Sequence, residues 1–122
     1  MREGSGQILG AICRVGPYKP MLALRPNCEL CDVDLPPEAA NARICSYECT
    51  FCADCVENTL HDVCPNCGGG FAPRPIRPAR AWRDGTGLAN DPPDTNRRSL
   101  RYSMDGVLEL VEKVRDVPPA ER

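Results

Sequence analysis

Nine cysteines lie in this 122-residue chain, and eight of them form four close pairs. Three pairs have two residues between the thiols and one has three. Such short spacing lets a tight turn point both sulfurs at one ion, and two pairs complete the tetrahedron that Zn²⁺ prefers. Four pairs therefore predict two closed zinc sites of the structural type. The predicted ligands are Cys28, Cys31, Cys45, Cys49, Cys52, Cys55, Cys64 and Cys67.

The last pair carries the clearest local signal, because it stands in the stretch CPNCGGG. Pro65 presets the turn after the first ligand, and Gly68 can adopt the positive φ that turns backbone N–H groups towards sulfur. This pattern is typical of a zinc knuckle. Spacing alone leaves the partners of each pair open, since sequential and interleaved use of the four pairs have the same stoichiometry.

Other chemistries use clustered thiols. The run Cys49-x2-Cys52-x2-Cys55 is similar to that of bacterial iron–sulfur ferredoxins, and thiolate clusters also serve as redox switches. Disulfides are disfavoured, because residues 1–20 lack the unbroken apolar run of an export signal. We therefore expect a cytoplasmic location. No apolar segment is long enough to span a membrane.

The order of the ligands resembles the RING-type cross-brace, with Cys49 where that family commonly has His. The resemblance implies a RING-like or treble-clef double-zinc module. Leu30 and Pro65 match positions with which RING domains recruit ubiquitin-conjugating enzymes, but Gly68 stands where a basic residue is usual, so ligase activity is not expected. By this resemblance one zinc takes Cys28, Cys31, Cys52 and Cys55, and the other takes Cys45, Cys49, Cys64 and Cys67.

A longer resemblance covers Met21 to about Pro78. The stretches MLALRPNCELCDVDLPP, ICSYECTFCADC and CPNCGG are similar to those of a family of small bacterial cysteine-rich proteins of unknown function. The resemblance spans about half of the chain and implies no particular activity. Because it begins at Met21, we expect residues 1–20 to be a poorly ordered leader or extension.

The cysteine-rich domain, residues 21–71, must position its ligands with little regular structure. The stretch ARICSYECTFC predicts a hairpin that turns around Tyr47 and Glu48, and ADCVENTLHDV predicts about two helical turns with Val56 and Leu60 on one face. With two Phe, three Tyr and one Trp, the chain has little to build an apolar core from. The prediction is a small α+β fold to which metal contributes the folding energy.

A second helix is predicted over residues 103–117. Ser103 is a suitable N-cap, and Pro118 and Pro119 mark the stop. The stripe supports two interpretations: it packs on the small core or stays partly frayed, or it docks onto another chain or self-associates. Its apolar residues, at spacings of three and four, are Met104, Val107, Leu108, Val111 and Val114.

Charge divides the chain. Residues 21–71 hold two arginines against eight acids, a net charge of −6, whereas residues 72–101 hold seven arginines against three acids, a net charge of +4. The Pro/Arg-rich segment 72–102 is predicted to be an extended or disordered linker. Its arginines either keep the linker soluble or, with Trp82, grip nucleic acid. The arginine ladder consists of Arg74, Arg77, Arg80 and Arg83.

No pattern for catalysis is present: the chain has one histidine, no phosphate-binding loop and no open three-ligand metal site. We expect His61 to be an exposed helix residue and Cys13 to be a bystander. The sequence therefore predicts a non-catalytic zinc protein with two ions that acts as a protein-interaction adaptor. The alternatives are a nucleic-acid-associated factor and an iron–sulfur or thiol redox protein.

Overall fold

The computed structural model describes residues 21–122, so the predicted leader and Cys13 lie outside the described residues. It is a small α+β fold with one three-stranded sheet and two α-helices. The elements are β1 (Ala42–Ile44), β2 (Thr50–Cys52), α1 (Ala53–Cys55), a π-helical turn (Val56–Leu60), β3 (Ala72–Pro73), α2 (Met104–Val114) and a 3₁₀ turn (Pro119–Glu121). Within residues 21–122, no helix has the length and apolar character that crossing a membrane requires.

The hairpin predicted in the cysteine-rich region is present. Strand β1 pairs antiparallel with β2, with Arg43 opposite Phe51. The turn passes through Glu48, whose φ of 68° lies in the left-handed region. All three residues of β2 are buried, although β2 lies at one edge of the sheet and β1 lies between β2 and β3.

The helical turns predicted after the hairpin are also present, in an altered form. Helix α1 continues directly into the π-helical turn, which ends at His61 with a left-handed φ of 48°. Val56 and Leu60 both point into the core, as their spacing predicted. The backbone N–H of His61 bonds to the carbonyl of Val56, the i→i+5 pattern of a π-turn.

The apolar core is small and consists largely of cysteines and short aliphatic residues. Phe51 is the one aromatic side chain that is buried among residues 21–122. Its ring meets that of Phe71 edge-to-face, with centroids 5.4 Å apart. Leu60 and Val63 are fully enclosed beside it. A core this thin gives limited hydrophobic stabilisation, because the stabilisation grows with the apolar area that is buried.

Helix α2 packs on this core with part of its apolar stripe. The Ser103 hydroxyl accepts a hydrogen bond from the Gly106 N–H, so the predicted N-cap is confirmed. Val107 and Val111 are buried, whereas Met104 and Leu108 are 42% and 46% exposed. Val114 is partly buried against the core. The stripe is predicted as one face, but Met104 and Leu108 lie outside the contact, because residues at this spacing spread around a helix of 3.6 residues per turn.

The segment 72–102 has little regular structure and forms turns between residues 79 and 91, but it packs against the cysteine-rich domain. It begins with β3, which pairs with β1 at the edge of the sheet, where Pro73 needs no N–H for a further strand. Arg77 then donates to the backbone carbonyls of Leu22 and Asp91. The bond to Leu22, with a similar one from Arg74 to the carbonyl of Arg25, fastens segment 72–102 to residues far away in the chain.

Candidate metal centre

The first cysteine group combines two pairs that lie far apart in the chain. Its four sulfur atoms all lie within 4.8 Å of one another. Cys31 Sγ and Cys52 Sγ are 3.7 Å apart, close to the edge of about 3.8 Å that four sulfurs at about 2.3 Å from one ion would form. This arrangement fits a tetrahedral metal ion. The group consists of Cys28, Cys31, Cys52 and Cys55.

The second group brings together Cys45, Cys49 and Cys64, again within 4.8 Å and all buried. Cys67, the predicted fourth member, does not fall within that distance of all three and is exposed. It lies on the same short loop as Cys64 and borders the same cavity of about 660 Å³ as Cys49. The structure therefore gathers three of the four predicted ligands and leaves the fourth at the rim.

These groups answer the pairing question that the spacing left open. The first and third pairs of the sequence form one group, and the second and fourth pairs supply the other. Strand β2 joins the groups physically, because Cys49 immediately precedes it and Cys52 ends it. All eight cysteines are free thiols in the structure, with no disulfide among them.

A tight turn positions the first pair. The Cys28 N–H bonds to the Val33 carbonyl at 2.9 Å, and the Asp32 N–H bonds back to the Cys28 carbonyl at 2.9 Å. Asp32 has a φ of 67° at the point where the chain reverses. Aspartate is among the few residues other than glycine that tolerate this conformation.

The last pair repeats the same turn. The Cys64 N–H bonds to the Gly69 carbonyl at 2.8 Å, and the Gly68 N–H bonds to the Cys64 carbonyl at 2.7 Å. Gly68, with a φ of 80°, takes the place that Asp32 has in the first turn. The positive φ predicted for Gly68 is confirmed. The two turns share these backbone hydrogen bonds, and each turn belongs to one group, although Cys31 joins its group and Cys67 stays at the rim of the other.

Backbone N–H groups point at the sulfurs. The N–H of Leu30 lies 3.4 Å from Cys28 Sγ, and the N–H of Tyr47 lies 3.3 Å from Cys45 Sγ. The N–H of Gly69 lies 3.4 Å from Cys67 Sγ. A neutral thiol is a weak acceptor, so three turns that each aim a donor at sulfur are suited to thiolates.

Burial disfavours the charged thiolate form, which these cysteines need in order to bind a metal ion. Desolvation raises the pKa of Cys28, Cys49, Cys55 and Cys64 above its ordinary value, and neighbouring thiols add to the rise. Cys31 differs: burial also acts to raise its pKa, but the backbone N–H of Val33 and bonds with neighbouring thiols outweigh it and lower the pKa. A coordinated divalent cation deprotonates thiols outright, which would offset the cost of gathering four of them.

Glu29 is a residue of the site that the sequence analysis missed. Its side chain is 6% exposed, and its carboxylate accepts bonds from Arg25, from the Thr50 N–H and from the Asn66 amide at 3.0, 3.0 and 3.2 Å. Glu29 lies in the turn of the first group, and Asn66 lies in the turn between Cys64 and Cys67 of the second. The carboxylate therefore bridges the two groups. In the sequence, Glu29 stands between two predicted ligands and contributes only to the acidic charge of the domain.

Asn27 was missed as well. It is fully buried, and its amide exchanges two bonds with the backbone of Arg98, at 2.7 and 3.1 Å. Arg97 adds ion pairs to Asp32 and Asp34, which are exposed and contribute little. The reciprocal amide pairing holds the segment around residue 98 against the turn of the first group.

His61 is half-buried and belongs to neither group of candidate ligands in the described chain. The prediction that His61 is an exposed helix residue is wrong, because the residue is half-buried and follows the π-helical turn as its left-handed C-cap. The predicted metal ligands, with Cys67 at the rim, account for every cysteine between residues 21 and 122.

The fold and the site together define a small cysteine-rich α+β protein with two groups of thiols that are able to hold metal ions. A family described as protein of unknown function (DUF1272) matches residues 21–77. Uncharacterized protein R02474 of Rhizobium meliloti (strain 1021) is 63% identical over 59 residues, which cover 48% of this chain and 70% of that protein. The chain belongs to this family, as its sequence indicated. No solved structure matches it.

Proposed function

We propose that this protein is a non-catalytic zinc-binding module of RING-like or treble-clef type that acts as a cytoplasmic protein-interaction adaptor. The observation that carries the proposal is the pair of interleaved cysteine groups. Each group combines cysteines from two distant parts of the chain, as in a cross-brace. In each group, backbone N–H groups point at sulfur atoms and favour the thiolate form. With Cys67, which lies at the rim of the second group, as the fourth ligand, both sites are closed. Closed sites stabilise a fold and leave no open position for a substrate.

Zinc suits these groups better than an iron–sulfur cluster does. The ferredoxin-like interpretation requires Cys49, Cys52 and Cys55 to converge on one cluster. Cys49 instead belongs to a different group from Cys52 and Cys55. The separation of this run between two groups favours two mononuclear ions, each held by two of the four cysteine pairs.

Metal analysis tests the proposal directly. We expect two equivalents of zinc in protein that is purified without added metal, and one or none in Cys52→Ser, because this change removes a ligand from the first group. Cys13→Ser is the matched control, because Cys13 is the one cysteine outside the four pairs, and it should retain both ions. Absence of bound metal, or an iron–sulfur absorption band near 400 nm, would refute the zinc assignment.

The adaptor role draws support from the outer side of α2. With Val107 and Val111 turned inward, Met104 and Leu108 form an exposed apolar pair one helical turn apart, next to Tyr102, which is 50% exposed. Exposed aromatic and aliphatic residues on one ordered surface are common at protein–protein contacts. We propose that the partner binds this pair.

A double variant tests the docking surface without disturbing the core. In Met104→Ser/Leu108→Ser, we expect a partner captured by the wild-type protein to be lost, while α2 stays folded on Val107 and Val111. The control is Asp105→Ser/Glu109→Ser, which changes two exposed polar residues of the same helix. Deletion of the helix would be a poor test, because it also uncovers the core. Equal capture by both double variants would reject the surface.

Nucleic-acid binding through the arginine ladder has less support. Two of its four members, Arg74 and Arg77, direct their guanidinium groups at backbone carbonyls rather than at solvent. Arg80, Arg83 and Trp82 stay exposed. The remaining cluster is short, and the neighbouring domain has a net charge of −6, so electrostatic attraction of phosphates is weak.

A further inference from the structure

We propose that the two cysteine groups bind their metal ions cooperatively and that Glu29 couples them, an inference that rests on the proposed metal binding. The two groups are not independent pieces of chain. Each knuckle turn belongs to one group, yet the carboxylate of Glu29, inside the first turn, accepts a hydrogen bond from the side chain of Asn66, inside the second. Ordering of one group therefore arranges the parts of the other.

Glu29 makes contacts on both sides of this boundary. Its backbone N–H bonds to the Thr50 carbonyl at 3.0 Å, and its carboxylate accepts from the Thr50 N–H at 3.0 Å. Thr50 is fully buried and directly follows Cys49, a member of the second group. The turn that contains Cys28 is thus tied to the chain that presents Cys49 by two hydrogen bonds.

The same carboxylate reaches the other half of the second group. The Asn66 amide donates to it at 3.2 Å, and Asn66 stands between Cys64 and Cys67. The guanidinium of Arg25 also donates to this carboxylate, with Nη1 3.0 Å from Oε2, and balances the charge of Glu29. When the first group is ordered around an ion, the carboxylate is held where Thr50 and Asn66 need it, so the second ion finds its ligands prearranged.

Chain connectivity alone gives weaker coupling. When the first group binds an ion, Cys55 is fixed in place. The free chain that leads to Cys64 is then the eight residues after Cys55 instead of the fourteen residues after Cys49. By the logarithmic dependence of loop closure on length, this changes the affinity only about twofold. Coupling energies between sites in proteins correspond to about 5- to 150-fold. A coupling of tenfold or more would therefore need the bonded bridge, which Glu29 supplies.

Native mass spectrometry of the full chain loaded with one equivalent of Zn²⁺ tests the inference. Independent, equal sites leave about half of the molecules with one ion, whereas tenfold coupling leaves roughly a quarter. We expect the wild-type protein to show mainly zero-ion and two-ion species. In Glu29→Gln, whose amide has one acceptor oxygen where the carboxylate has two, we expect the one-ion species to rise towards half while the capacity stays at two ions.

Glu38→Gln is the matched control. It removes the same charge from an exposed glutamate of the same domain and should keep the wild-type pattern. A wild-type protein that accumulates the one-ion species would overturn the cooperativity while leaving the metal binding intact. An unchanged pattern in Glu29→Gln would overturn the role of Glu29. Failure to take up any ion would instead refute the proposed function itself.

Discussion

Removal of metal is expected to unfold the cysteine-rich domain. A strong chelator under reducing conditions should collapse the dispersed amide NMR spectrum of residues 21–71 to that of a disordered chain. Structural zinc contributes apparent binding free energies of about 10–16 kcal/mol per ion in zinc-finger peptides, while whole domains are stable by about 5–15 kcal/mol. The buried core here has one aromatic residue and short aliphatics, so it cannot replace that contribution.

Helix α2 should unfold in the same step. It has 11 residues, and a helix of this length is marginal in water unless it packs on something. Its support is the core around Val107 and Val111, which includes cysteines of both groups. Far-ultraviolet circular dichroism should therefore lose its helical signal together with the NMR dispersion, and excess zinc should restore both. A chelated, metal-free and reduced protein that keeps its native spectrum would contradict a structural role for metal.

Replacement of Arg74 is expected to be the most damaging change away from the cysteines. Arg74 is 4% exposed, and its guanidinium donates to the carbonyls of Arg25, Leu35 and Pro36 at 2.9, 3.1 and 2.9 Å. Within residues 21–122 no carboxylate forms an ion pair with it, and burial lowers its pKa from the ordinary value. Arg74→Ala removes the donors of three carbonyls at once, which should cost about 3 kcal/mol or more.

Thermal unfolding of the zinc-loaded protein measures this cost. For a domain of this size, a loss of about 3 kcal/mol should lower the Tm by more than about 10 °C. The Tm of Arg74→Lys should lie between those of the wild type and Arg74→Ala, because one ammonium group cannot replace all the N–H donors of a planar guanidinium. Arg80→Ala removes the same charge from an exposed position of the ladder and should change stability by less than about 0.5 kcal/mol. Equal effects at both positions would show that Arg74 matters only for charge.

Local features of the fold could be predicted from the sequence because neighbouring residues determine them. The hairpin around Glu48, the inward side of the helical turn at Val56 and Leu60, and the Ser103 cap all follow from periodicity or from a side chain reaching the next turn. The positive φ of Gly68 follows from its lack of a Cβ. Each of these predictions involves contacts over a few residues, and each is confirmed in the structure.

Roles that depend on distant contacts could not be predicted in this way. Glu29 and Asn27 read as ordinary polar residues of an acidic stretch, and Arg74 read as one of four equivalent arginines. Their importance comes from acceptors and donors far along the chain, such as the carbonyl of Leu35 for Arg74 and the backbone of Arg98 for Asn27. A spacing pattern contains no information about those partners.

The amino-acid sequence by itself determined which atoms are able to hold metal, since thiols two or three residues apart are delivered together by a single turn. Only the tertiary structure decided how the pairs combine, that Cys67 stands at the rim, and that segment 72–102 lies against the domain. The physical reason is the range of the forces involved. Turn geometry acts within about five residues, whereas the choice of partner depends on how β2 and the buried polar groups pack across the whole domain.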